Sequence, residues 1–224
     1  MTTHSMSSDP EPPAKIHLGV IPDGNRRWCV ANRKGNLDLV QMVRSMYLET
    51  MTDRRWTHFE HLRRIGEISV YVLSKDNLTK RNDNTVSMVA DLLEFLLADI
   101  KDHPVLCTMV SVRFIGCLDL LPLKIREMCA GIEKLTKDGY IRINGAIAYD
   151  PIHDVCEPHD ADTERSPIDL VIRTGGEQRL SGFFPLQTLY SELFFCSKMF
   201  PDLGLYDVDQ IIAEYGRRNR RFGA

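Results

Sequence analysis

The run Asp23-Gly24-Asn25-Arg26-Arg27-Trp28 gathers residue types that handle phosphate. Glycine lets the main chain approach a ligand closely, and the N–H groups that open a following helix favour an anion. Arg26 and Arg27 suit forked contacts with phosphate oxygens. An aspartate among such groups would repel the ligand unless a cation lay between them. That points to Mg²⁺, which takes one or two carboxylates together with diphosphate oxygens and water. The same six residues also read as an ordinary Asp-Gly turn before a solvated helix start. A second segment, Asp169 to Ser181, repeats the theme: a short buried strand runs into Gly175-Gly176, flanked by Arg173, Arg179 and Ser181. Two separate phosphate-holding loops suit a reaction between two diphosphates. The chain has no GxxxxGK[ST] segment and no GxGxxG after a strand, so nucleotide binding has little support.

These loops need a scaffold, and the hydrophobic pattern supplies one. The polar, proline-rich stretch 1–15 reads as a disordered leader, and 16–224 as a single catalytic domain. Ile16–Ile21, Ile68–Leu73, Val110–Ile115, Tyr140–Ala148 and Asp169–Ile172 read as strands. Helical spacing runs from Leu37 to Ile65 as one bent helix or two. It returns from a cap at Asn82 or Asp83 to about Lys101, over Pro122–Lys137 and over Val208–Tyr215. The 150–166 segment reads as polar and irregular. Strands alternating with helices predict an α/β fold with a central parallel sheet of about six strands, covered on both faces. Ligands in such sheets sit beyond the carboxyl ends of the strands. The chemistry is therefore expected at Pro22–Arg27, Ser74–Arg81 and Arg173–Gly182.

Composition bounds the rest. The 224 residues suffice for a real core, and the net charge is −3. A basic end, GRRNRRFGA, stands out on a slightly acidic chain, but without a wider basic face it does not argue for nucleic acid. Six cysteines without a CxxC pair, and no signal-like start, point to free thiols and a cytoplasmic location. No apolar run approaches the roughly 20 residues of a membrane span. His153, His159, Asp154, Asp160 and Asp162 lack regular ligand spacing and read as a solvated loop.

Four segments carry a resemblance. HLGVIPDGNRRW, VYVLSKDNLTKRN, PIDLVIRTGGEQRLSGFFPLQTLYSELFF and the terminal RRNRRFGA resemble, in order, the signature motifs of the cis-prenyltransferases, the undecaprenyl diphosphate synthase family. The resemblance implies a homodimeric prenyltransferase acting on isoprenyl diphosphates, with a hydrophobic tunnel between sheet and helices. It implies that Asp23 holds Mg²⁺ and supports departure of the allylic diphosphate, which Gly24, Asn25 and Arg27 grip. Ser74 and Asn77 fall near the reacting carbons, and Arg173, Arg179 and Ser181 bind the second diphosphate. Arg26, Trp28, Arg81, Gly175 and Gly176 join the substrate-binding set. Glu192 resembles a second metal-site carboxylate supplied across the dimer interface, and Arg221 with Gly223 resembles a tail that reaches the partner's site.

The chain also departs from the family pattern. Asp38 and Met42 fall near where long-chain members carry basic residues, so the first site has less positive charge. Lys75 and Asp76 replace the common Ser and Glu, and Leu78 replaces an aromatic. The stretch after Tyr149 is shorter than in most relatives and is expected to lack their helix. These changes resemble the small lavandulyl-type branch, which joins two units head to middle and shares a G-x-LDL stretch, here Gly116 to Leu120. A short-chain irregular synthase is therefore expected, with a regular cis-polyprenyl synthase as the alternative. Non-catalytic subunits of the family typically lose the first-motif aspartate and much of the phosphate loop. Asp23, Arg173, Arg179 and Glu192 are all present.

Overall fold

The computed structural model describes residues 15–52, 59–80, 84–156 and 165–219. The expected leader (except Lys15), the proposed caps Asn82 and Asp83, and three site candidates, Arg81, Arg221 and Gly223, lie outside these. Six parallel strands form one sheet in the order β3-β4-β2-β1-β5-β6. They are β1 (Ile16–Ile21), β2 (Ile65–Tyr71), β3 (Val110–Ile115), β4 (Ile141–Ala146), β5 (Leu170–Arg173) and β6 (Glu192–Phe195). Among the described residues eight helices accompany them: α1 (Asn25–Asn32), α2 (Asn36–Thr52), α3 (Lys75–Lys80), α4 (Asn84–Asp102), α5 (Pro104–Met109), α6 (Leu123–Thr136), α7 (Pro151–Cys156) and α8 (Leu205–Tyr215).

Three expectations need correction. The helical reading through Ile65 fails because Ile65 pairs with Ile16 and opens β2. Among the described residues of this stretch α2 follows the helical period, and a 3₁₀ turn, Leu62–Arg64, precedes the strand. The segment after Tyr149 does hold a helix. Asp150 accepts from the Ile152 and His153 N–H groups at 3.0 and 3.4 Å, which starts α7. α3, α5 and β6 were not anticipated, since four to six residues carry too little period to read.

Strand pleating sorts the sheet into two unlike faces. Leu18 and Val20 of β1, Ile68 and Val70 of β2, and Val112 and Phe114 of β3 share one face, under α2, α4 and α8. Between them lies a cavity of about 320 Å³ whose lining is wholly apolar, including Leu93, Leu96 and Phe200. The opposite face is polar at its amino-terminal half. There His17 Nε2 meets Ser69 Oγ at 2.8 Å, and Asn144 Nδ2 donates to Glu67 Oε1 at 2.8 Å and to Ser69 Oγ at 3.0 Å. Asp169 Oδ2 accepts from the His17 main-chain N–H at 3.0 Å, and Arg142 donates to Glu67 at 3.1 Å. Toward the carboxyl ends this face turns aromatic, with Tyr149, Phe183 and Phe184 fully buried.

His17 is 5 % exposed, and burial pushes its imidazole below the ordinary value of 6.5 although Glu67 and Asp169 pull the other way. Below about pH 6.5 the unfolded chain therefore takes up a proton that folded His17 refuses, and stability falls as the pH drops. The melting temperature is expected to decline between about pH 7 and about pH 5.5, and His17→Asn to flatten that decline. Differential scanning fluorimetry across this range checks it; parallel curves for the two proteins would clear His17.

Candidate active site

β1 lies between β2 and β5, so the chain reverses direction of winding around it. The crevice at such a switch point, beyond the carboxyl ends of β1 and β5, is where open parallel sheets bind ligands. Both phosphate-type loops emerge there. Asp23 leaves β1 and Arg173 ends β5, and the two side chains meet, Arg173 Nη2 donating to Asp23 Oδ2 at 2.7 Å. Thr174 secures the junction: its hydroxyl accepts from the Asp23 N–H at 2.9 Å and donates to the Asp23 carbonyl at 2.8 Å.

Gly24 takes a left-handed conformation, φ 94°, as the residue capping α1. That turn sends its N–H onto Asp23 Oδ1 at 2.6 Å. Desolvation raises the Asp23 carboxyl, but the hydrogen bonds from Arg173 and Gly24 and the charges of Arg173 and Arg27 outweigh it. Asp23 is held below the ordinary carboxylate value and stays ionised. Asn25 Nδ2 donates to the Pro22 carbonyl at 3.0 Å, while its Oδ1 is buried with no hydrogen-bond partner. Arg27 Nη2 donates to the Gly175 carbonyl at 2.9 Å, tying α1 to the second loop.

The second loop is built around Arg173, which is 4 % exposed. Its Nη1 donates to Ser181 Oγ at 2.9 Å and to the Arg179 carbonyl, and its Nε is buried without a partner. Gly175 and Gly176 both sit at φ near +80° and donate to the Lys198 and Cys196 carbonyls at 2.7 and 2.9 Å. A Cβ on Gly175 would lie 2.7 Å from Arg27 Nη2.

The third motif caps α3. Ser74 Oγ accepts from the Asn77 N–H at 3.1 Å, and Lys75 Nζ reaches Asp150 Oδ2 at 2.7 Å. Other candidates lie farther out. Arg26 is exposed on α1, and Arg179 is exposed and paired with Glu177. Trp28 is 6 % exposed and donates its indole N–H to Asp202 at 2.9 Å, anchoring α1 to the turn at Phe200–Asp202. Glu192 opens β6, opposite Leu170, whereas Arg173 faces Phe195. Three strand positions, about 10 Å, separate Glu192 from the strand end that carries the site. Its partner there is Arg218, at 3.0 Å. Within one chain Glu192 does not join Asp23.

Among the described residues no three His, Cys, Asp or Glu side chains gather at one point. Asp23 and the unpartnered Asn25 Oδ1 are hard oxygen donors, the kind Mg²⁺ takes when substrate oxygens and water complete its shell. The donor set fits that ion. Tyr71 stands inside the VYVLSKDN motif but outside the site residues chosen from it; its hydroxyl lies 3.3 Å from the Ser181 carbonyl. A tyrosine ending a strand looks like a packing residue, and only the distant Ser181 contact says otherwise.

Residues 21–165 and 159–223 match the sequence model of a family described as putative undecaprenyl diphosphate synthase. A tritrans,polycis-undecaprenyl-diphosphate synthase (geranylgeranyl-diphosphate specific) of Pyrobaculum aerophilum is 31 % identical, over 92 % of this chain and 95 % of its own. One of the same description from Aeropyrum pernix is 32 % identical over 92 % and 97 %. Among solved structures, lavandulyl diphosphate synthase from Lavandula x intermedia, in complex with dimethylallyl diphosphate, superposes with a TM-score of 0.72. It is 24 % identical over 93 % of this chain and 98 % of that one, a likeness of fold. A probable undecaprenyl diphosphate synthase from Campylobacter jejuni gives 0.66 at 25 % identity, over 95 % and 100 %. With its two glycine-arginine loops meeting at one sheet rim, and one sheet face bordering a cavity lined by hydrocarbon alone, this chain belongs to the undecaprenyl diphosphate synthase family and is a cis-prenyltransferase.

Proposed function

We propose that the protein joins small isoprenyl diphosphates with release of diphosphate, as a short-chain synthase of the irregular, head-to-middle kind. The observation that carries the short-chain reading is the cavity. At about 320 Å³ it stands near the low end of the roughly 300–1,000 Å³ that ligand pockets span. The charge of the first site supports the irregular branch. Asp38 stands where a basic residue is common, and it accepts from the Gly35 N–H at 2.9 Å and from Lys34 at 3.3 Å. It caps α2 rather than leaving a cation for the first diphosphate. A second reading, regular head-to-tail elongation, is favoured by the names of the archaeal relatives.

In this reading Gly24, Asn25 and Arg27 grip the allylic diphosphate, while Arg173, Arg179 and Ser181, placed by the Gly175–Gly176 turn, grip the other. Arg26 and Arg81 complete the substrate-binding set, and Trp28 serves it by anchoring α1 through Asp202. Asp23 and Asn25 Oδ1 are the oxygens that would hold Mg²⁺, and the ion would supply charge to neutralise the leaving diphosphate. Arg27 and the α1 N-terminus stabilise the same developing charge. The apolar walls keep water from the allylic cation, and Ser74 and Asn77 lie near the reacting carbons, where the acceptor's proton departs. Asp23 stays ionised throughout because its neighbours hold its pKa down.

We also read the active unit as a cytoplasmic homodimer, with Glu192 as a metal-site carboxylate and Arg221 and Gly223 reaching across to the partner. Leu186, Leu189 and Tyr190 support it as large exposed side chains close in sequence to edge strand β6. Among the described residues no helix is long and apolar enough to cross a membrane.

The first test supplies Mg²⁺ and dimethylallyl diphosphate alone, then adds isopentenyl diphosphate, and identifies the products by mass spectrometry. A branched product from dimethylallyl diphosphate alone is expected; linear products that require isopentenyl diphosphate would select regular elongation instead. Asp23→Asn keeps an oxygen for Arg173 but loses the charge, and diphosphate release is expected to fall at least about a hundredfold. A near-normal rate would remove Asp23 from the mechanism. The two loop glycines should differ. Gly175→Ala drives a methyl into Arg27 and is expected to weaken inorganic pyrophosphate binding about tenfold or more. Gly176→Ala meets nothing within 4 Å and carries only its φ penalty, roughly 1 kcal/mol. Isothermal titration of both variants distinguishes these outcomes.

A further inference from the structure

Tyr71 closes β2 at the rim that carries the site. Its hydroxyl donates to the Ser181 carbonyl at 3.3 Å, the long end of the hydrogen-bond range. Three residues further along the chain, Ser74 Oγ accepts from the Asn77 N–H at 3.1 Å. From Ser181 the hydrogen bonds continue through Oγ to Arg173 at 2.9 Å, and through Arg173 to Asp23 at 2.7 Å. One phenol thus stands between the segment bearing Ser74 and Asn77 and the loop bearing Ser181, Arg173 and, one bond further, Asp23.

The ring is held on two sides. Tyr149 meets it edge-on with centroids 5.8 Å apart, and Phe183 packs against it at 5.4 Å. A side chain with two χ angles and a clamped ring has little freedom left, so its hydroxyl acts as a fixed point. Ser181 needs one. Its φ of +55° is left-handed and unfavourable for a residue with a Cβ, and it persists only where neighbours impose it. Tyr71 holds the Ser181 carbonyl and Arg173 holds its hydroxyl. Burial pushes the Tyr71 phenol up to about 12, so it remains a neutral donor near neutral pH.

We propose that Tyr71 is a positioning residue for the coupling reaction. Its hydroxyl ties the strained Ser181 turn to the strand end that leads into Ser74, so the grip on the second diphosphate and the placement of the reacting carbons share one anchor. This rests on the reading of the protein as a synthase that joins two diphosphates.

Tyr71→Phe keeps the ring contacts and removes the bridging oxygen alone. With Mg²⁺, dimethylallyl diphosphate and isopentenyl diphosphate, its kcat/KM is expected to fall about tenfold, in both kcat and the KM of the substrate held by the Arg173 loop. Affinity for inorganic pyrophosphate, titrated calorimetrically, should fall severalfold, while the melting temperature stays within about 3 °C. Unchanged kinetics and unchanged pyrophosphate affinity would overturn the assignment. So would a displaced limb in the pH–rate profile of the variant, since that marks a proton-transfer role. If the unmodified protein turned over no isoprenyl diphosphate at all, the proposed function would fall, and the pyrophosphate titration would still decide the role of Tyr71.

Discussion

The contact between Arg173 and Asp23 is the constraint on which the site depends. It joins the carboxyl ends of two neighbouring parallel strands, and it does so with a guanidinium that the fold has almost wholly removed from water. A charge buried that far needs partners, and stripping one away costs several times what an exposed pair contributes. The Asp23 carboxylate, the Ser181 hydroxyl and the Arg179 carbonyl supply them. The surrounding backbone conforms to this arrangement. Gly24 turns left-handed to aim its N–H at Asp23, Thr174 fastens the Asp23 main chain, and Gly175 leaves room for Arg27.

Much of this was legible before any coordinates. β1, β3 and β5 follow from short apolar runs, and the placement of the two glycine-arginine loops follows from the rule that parallel sheets bind ligands at strand carboxyl ends. The parts that stayed hidden share a physical cause. β6 is four residues long and exists because β5 offers it an edge, and Ile65 is a strand residue because Ile16 pairs with it. Neither fact is local to its own segment. α7 depends on the Asp150 carboxylate, which looks like any loop aspartate. Tyr71 is the clearest case, since its hydroxyl meets a carbonyl 110 positions away. Glu192 shows the reverse: its motif is plain in the sequence, yet in the folded chain its neighbour is Arg218 and not Asp23.

The sheet divides its labour by face. His17, Glu67, Ser69, Arg142 and Asn144 interlock on one side, where each polar atom needs a directional partner and the strands are thereby fixed in register. The cavity lies on the other side, walled by valine, leucine and isoleucine, whose contacts have no directionality. Rigidity is thus supplied from one face while the other remains free to shape a hollow.

None of the residues lining that hollow is Asp23, Asn25, Arg27, Arg173 or Ser181, the polar groups that meet at the strand ends. A wall residue that gains or loses a methylene alters the hollow directly, and reaches the charged loops only through whatever packing shift follows. The volume of the hollow and the placement of charge are thus written in different residues of one scaffold.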